Sequence, residues 1–158
     1  MANTQSMCTS FMGELMTATH NFGTAPTRGT SAADTFKGAL YLASATYDAA
    51  TTAYSVTGEV SGTGYSAGGV TVTNANPPVA TNASATAGVA YWTPSASLTY
   101  TSVTLTTAFD AVLIYNSSQS NKAVSVHTFG SQTITAGTFT LTMPASTTTT
   151  ALLRLATT

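Results

Sequence analysis

The chain has 158 residues and a mass of 16.0 kDa, the size of one ordinary domain. Only 6% of its residues are charged, 4 Lys+Arg and 5 Asp+Glu, against roughly 25% in typical soluble domains. A folded chain of this mass exposes on the order of 7,000 Å², so its few charges leave uncharged patches of about 800 Å², the area one partner buries in a standard interface. The net charge of -1 and a pI near 6.0 exclude a basic footprint for nucleic acid, and no Lys/Arg cluster suits an anionic membrane.

Cys8 is the single cysteine, so no disulfide framework forms within the chain. One thiol and two histidines do not make a structural zinc site, and no metal or cofactor is expected. Residues 1–21 lack the basic start and continuous apolar run of a secretory signal, and no apolar run approaches membrane-spanning length. The expectation is a soluble chain made in the cytoplasm.

In chain order, Met7, Cys8, Phe11, Met12, Leu15 and Met16 form the double stripe of a short amphipathic helix, with Glu14 opposite. His20 ends it, where a cation suits the helix dipole. Asn21 to Ala33, with Gly23, Pro26 and Gly29, has linker composition. From Asp34 the period becomes two: Phe36, Gly38, Leu40 and Leu42 alternate with Thr35, Lys37, Ala39 and Tyr41, which predicts a half-buried strand. A flexible Gly-rich loop follows from Gly58 to Gly69, then a short strand at Val70–Thr73 that Pro77–Pro78 ends. Thr81 to Ala87 is too poor in apolar area for core and reads as a mobile or partner-ordered loop.

The second half is denser in strands. Ala90 to Thr93 carries the only Trp. Leu98 and Tyr100 fall out of phase with Val103 and Leu105, which predicts a bulge or break near Thr101–Ser102. Ala111 to Tyr115 is continuously apolar, as in a central strand covered on both faces. Val124 and Val126 alternate with Ser125 and His127. Thr133–Thr135 reads as one arm of a hairpin turning at Ala136–Gly137, with Phe139, Leu141 and Met143 on the return arm, and Ala151–Ala156 as a closing strand. Threonine is about a fifth of the chain, well above average usage, and suits a sheet whose outer face is polar but uncharged. About eight short strands with frequent turns predict an all-β fold, an antiparallel, jelly-roll-like β-sandwich. Residues 1–33 form its N-terminal helix or arm and linker, and 34–158 the sandwich domain. A sheet with so few charges to guard its edges is best covered by another subunit or surface, so assembly is expected.

The candidates for chemistry are weak. Gly64–Gly68 matches G-x-S-x-G, and Asp110 and His127 follow in hydrolase order, but Ser66 sits in a Gly-rich loop followed by a strand, without the helix that supplies the oxyanion donor. The acids Glu14, Asp34, Asp48, Glu59 and Asp110 are scattered singly, so no glycosidase pair arises from the spacing. Tyr91 and Trp92 could stack a sugar or base, but read more simply as core or interface aromatics. No enzymatic activity is expected.

Thr35–Tyr41 (TFKGALY), Glu59–Val70 (EVSGTGYSAGGV), Tyr91–Trp92, Leu113–Asn116 (LIYN), Asn121–Val124 (NKAV), Phe129–Thr133 (FGSQT) and Thr140–Pro144 (TLTMP) together resemble a family of small virion proteins of tailed bacteriophages. The resemblance spans almost the whole chain and implies a structural component without catalytic residues. The reading is a capsid cement or decoration protein on the capsid outer surface of the virion. It oligomerises, with a trimer favoured over a dimer by the capsid's symmetry, and clamps the major capsid protein from outside. Met7, Phe11, Leu15 and Phe22 are the expected arm anchors, and Gly62, Gly64 and Tyr65 of the Gly-rich loop the expected contact surface. The alternative is a tail or fibre component that binds host glycan through exposed Tyr and Trp.

Overall fold

The computed structural model describes residues 2–16, 19–22, 33–74, 78–81 and 88–156. The chain is an all-β sandwich, with one short helix among the described residues. Its elements are β1 (Ser6–Met7), α1 (Thr9–Met16), β2 (Phe36–Leu42), β3 (Val70–Thr71), β4 (Val79–Ala80), β5 (Val89–Trp92), β6 (Leu98–Asn116), β7 (Lys122–Leu141) and β8 (Leu153–Ala156). One sheet has the order β1-β7-β6-β2-β3 and the other β4-β5-β8. All pairings are antiparallel. The five-plus-three division does not by itself define the jelly-roll wrapping expected from the strand count.

The apolar run Ala111–Tyr115 lies in the middle of the larger sheet, between β2 and β7, and is fully buried. Instead of many short strands, the second half folds into one hairpin whose arms are 19 and 20 residues long. Bulges hold that ladder together. Tyr100 pairs with Phe139 and Val103 with Gly137, so β6 carries one extra residue there. Ser102 takes a positive φ of 55° at the phase break visible in the sequence. The turn expected at Ala136–Gly137 does not form. β7 runs straight through it with Ala136 at φ 50°, and Leu105 pairs with Ile134 on the far side. Turning there would leave Leu98 to Val103 without a partner, and the longer ladder prevails.

The long hairpin also bends. Leu98 and Val112 are fourteen positions apart on β6, roughly 46 Å in a straight strand. Yet a Cβ built on Gly38 would lie 2.6 Å from Leu98 Cδ1, 3.3 Å from Tyr100 Oη and 3.3 Å from Val112 Cγ2. β6 therefore curls over β2, and Gly38 leaves room for the crossing. Strands that pass between layers through bulges are a known way of closing such a sandwich.

β2 is buried on both faces rather than one. Phe36 stacks on Phe22 at 4.4 Å and lies near Trp92, on the side of the smaller sheet. On the opposite side Tyr41 packs on Tyr47 at 3.7 Å and donates its hydroxyl to the Ser55 carbonyl, so the segment between β2 and β3 covers it. Strand alternation could not reveal this cover, because it comes from residues distant in the chain.

The N-terminal helix is shorter than the apolar stripe suggests. Met7 belongs to β1, where it pairs with Ser125, and Cys8 N donates to Val124 O at 3.0 Å. The open edge of β7 claims these backbone groups before the helix starts. The side chains of Met12 and Met16, the linker residues 23–32, Pro77, and residues 82–87 of the Thr81–Ala87 segment lie outside the described residues.

Candidate interaction surface

Each residue expected to touch a partner has a position within this chain. Phe11 is 2% exposed and packs edge-on against Phe22, which in turn lies 4.8 Å from Trp92. Leu15 is partly buried and lines an apolar notch with Trp92 and Leu153, and Met7 packs partly buried against the same core. These side chains cover the chain's own core.

A polar latch holds the N-terminal segment in place. His20 lies beyond the end of α1, where it is buried. Asn116 Nδ2 donates to His20 Nδ1 at 3.1 Å, leaving Nε2 to donate to Glu14 Oε2 at 2.6 Å. Lys122 Nζ donates to the other Glu14 oxygen at 2.6 Å. Asp34 accepts from Asn116 Nδ2, Gln119 Nε2 and the Asn21 amide. Burial alone would raise the Glu14 pKa, but the bonds and charges of Lys122 and His20 outweigh it and hold the carboxyl below its ordinary range.

The Gly-rich loop is clamped rather than loose. Glu59, a buried carboxylate, accepts from Tyr54 Oη, Tyr65 Oη and the Gly68 amide, each at 2.7 Å. Tyr65 Oη also accepts from the Leu40 amide, and Tyr115 Oη donates to Gly68 O at 2.8 Å. Burial first, then bonding to Glu59, pushes the Tyr54 and Tyr65 hydroxyls well above their usual range; burial and the Glu59 charge push Tyr115 up to about 12. Gly62 and Gly64 lie against the β6 backbone, where a Cβ would run into Thr104 O and Ser102 O respectively. Thr63 forms a bridge with Thr104. These glycines serve close approach to β6, and the half-buried Tyr65 ring stacks on Tyr100. Glu59 as the hub was missed in the sequence, although a lone acid flanked by Tyr54 and Tyr65 in an acid-poor stretch was the available signal.

The hydrolase-like residues have separate partners. Asp110 accepts from Asn3 Nδ2 at 2.6 Å, while His127 is bonded to Ser125 Oγ at 2.8 Å. Ser66 lies by Tyr65 and Tyr100 in a shallow depression. Burial lowers the His127 pKa to about 4, so the ring is neutral near pH 7. Burial, then the charges of Asp48 and Glu14, push the Cys8 thiol up to about 12, which leaves it unreactive. Among the described residues no three His, Cys, Asp or Glu side chains come close enough to share a metal ion.

The outward side chains of β6 from Leu98 to Phe109 and of β7 from Phe129 to Leu141 are neutral and threonine-rich. On β6, Thr99, Thr101 and Thr106 are exposed, and on β7 Ser131, Thr133, Thr135, Thr138 and Thr140. Thr99 pairs directly with Thr140. No formal charge or proline falls between Lys122 and Pro144. Set beside known protein families, curated proteins and solved structures, the chain matches none of them.

Proposed function

We propose that this chain is a tailed-bacteriophage virion protein, a capsid cement or decoration protein that oligomerises and clamps the major capsid protein from the outer surface. The observation that carries the reading is the uncharged, threonine-covered outer face of the long hairpin on a tightly braced sandwich. The resemblance of segments such as Glu59–Val70 and Thr140–Pro144 to small phage virion proteins supports it. A clamp acts through many modest contacts, and repeated copies on a lattice gain by multivalency. A broad neutral face makes such contacts without desolvating charge. The alternative, glycan binding in a tail or fibre, loses its best stacking platform: Trp92 is buried, with Nε1 donating to Asn74 Oδ1 at 2.8 Å.

The test is cosedimentation of the purified protein with expanded capsids that lack it. Saturation at a fixed ratio to the major capsid protein supports the reading. Absence of binding contradicts it. Deleting the N-terminal segment is not a clean variant, because Phe11 and Phe22 are part of the core.

A further inference from the structure

We propose that β7 pairs with β7 of a second copy of this chain, antiparallel about a twofold axis beside Ala136–Gly137. Among the described residues, the outer edge of β7 is covered near its start, where Ala53 bridges Lys122, the Ala123 amide donates to Thr52 O, and β1 pairs at Ser125 and Val126. Beyond that point, no described strand pairs with the edge from Thr128 to Leu141. It contains no charge and no proline, two of the usual guards of an exposed edge. A Cβ on Gly130 would meet nothing within 4 Å.

The residues themselves indicate the occupant. Thr133 and Thr135 share the exposed face of β7 with Thr138 and Thr140, while Ile134, Phe139 and Leu141 are half-buried on the other, because the bulge at Ala136 restores the alternation. Set antiparallel against its own copy, Thr135 meets Thr138, Ile134 meets Phe139, and Thr133 meets Thr140. Each match continues the same face of the sheet. It is also the complementarity that reads as a hairpin in the sequence and that the chain does not use internally. β6 shows that β7 accepts such a neighbour: Thr99 already pairs with Thr140, Tyr100 with Phe139 and Leu105 with Ile134. A second β7 presents the same alternation of threonine and apolar side chains. It carries no charge to repel itself, and Thr–Thr and apolar cross-strand pairs are favourable. The half-buried Ile134 and Phe139 gain cover from the same contact.

This pairing does not depend on the virion reading and is tested on the isolated protein. Analytical ultracentrifugation should show a dimer for the wild type. Thr135→Lys with Thr138→Lys places like charges opposite each other at the axis and should give a monomer that still unfolds cooperatively. Thr135→Lys with Thr138→Glu sets opposite charges across the axis and should restore the dimer. A monomeric wild type, a double-lysine variant that stays dimeric, or a charge pair that fails to restore the dimer would overturn the proposal.

Discussion

Tyr100 donates its hydroxyl to the Gly38 carbonyl at 2.8 Å, although the two residues are 62 positions apart in the chain. The bond marks where the bent hairpin closes over β2, and Leu98 fills the space a side chain at Gly38 would need. Gly38→Ala should therefore destabilise the protein by about 1–3 kcal/mol through overpacking. Urea unfolding reads this as a lower midpoint at an unchanged slope. A midpoint equal to wild type would show that the crossing is not tight.

Glu59→Gln keeps the shape of the hub and removes its charge. One of its two terminal atoms becomes a donor that faces existing donors. The expected loss is about 1–3 kcal/mol, with faster proteolysis between Gly62 and Gly69. Cleavage at the wild-type rate would mean that the loop does not depend on the carboxylate.

Phe11→Ala removes a ring packed among His20 and Phe22, next to the Trp92 cluster. A loss of about 3–5 kcal/mol is expected, as for other buried aromatics, together with a red shift of the Trp92 fluorescence. If stability and fluorescence are unchanged, the helix is a detachable arm after all.

Acid should weaken the fold in two stages. His127 has its pKa lowered to about 4 by burial, from an ordinary 6.5. Its unfolded form binds a proton first, so its contribution is complete above pH 6.5 and is lost as pH falls towards 4. Glu14 titrates below the ordinary 4.5 when folded, so its contribution is present above that value and is lost at lower pH. Melting temperature against pH should fall through both windows. His127→Gln should flatten the upper window and Glu14→Gln the lower, and a profile unchanged by either substitution would contradict these assignments.

The parts of the fold legible in the sequence were those set by local pattern. The apolar run Ala111–Tyr115 marks the central strand because both of its faces are covered, and the phase break after Tyr100 marks the bulge at Ser102. What was not legible depends on residues far away. The hairpin at Ala136–Gly137 is locally sound, but β6 offers a longer partner. Tyr41 is buried by Tyr47 and the segment after β2, which no alternation within β2 could reveal. Phe11 and Phe22 carry the apolar character of an anchor, and the sequence did not say whether they anchor to a partner or to this chain's own Phe36 and Trp92. The glycines from Gly58 to Gly69 suggested freedom, whereas Gly62 and Gly64 permit contact with the β6 backbone.

The proposed role as a capsid cement protein is tested most directly by quantitative mass spectrometry for this chain in purified virions, relative to the major capsid protein. The account predicts a copy number approaching that of the major capsid protein. A few copies per particle, or none, would contradict it.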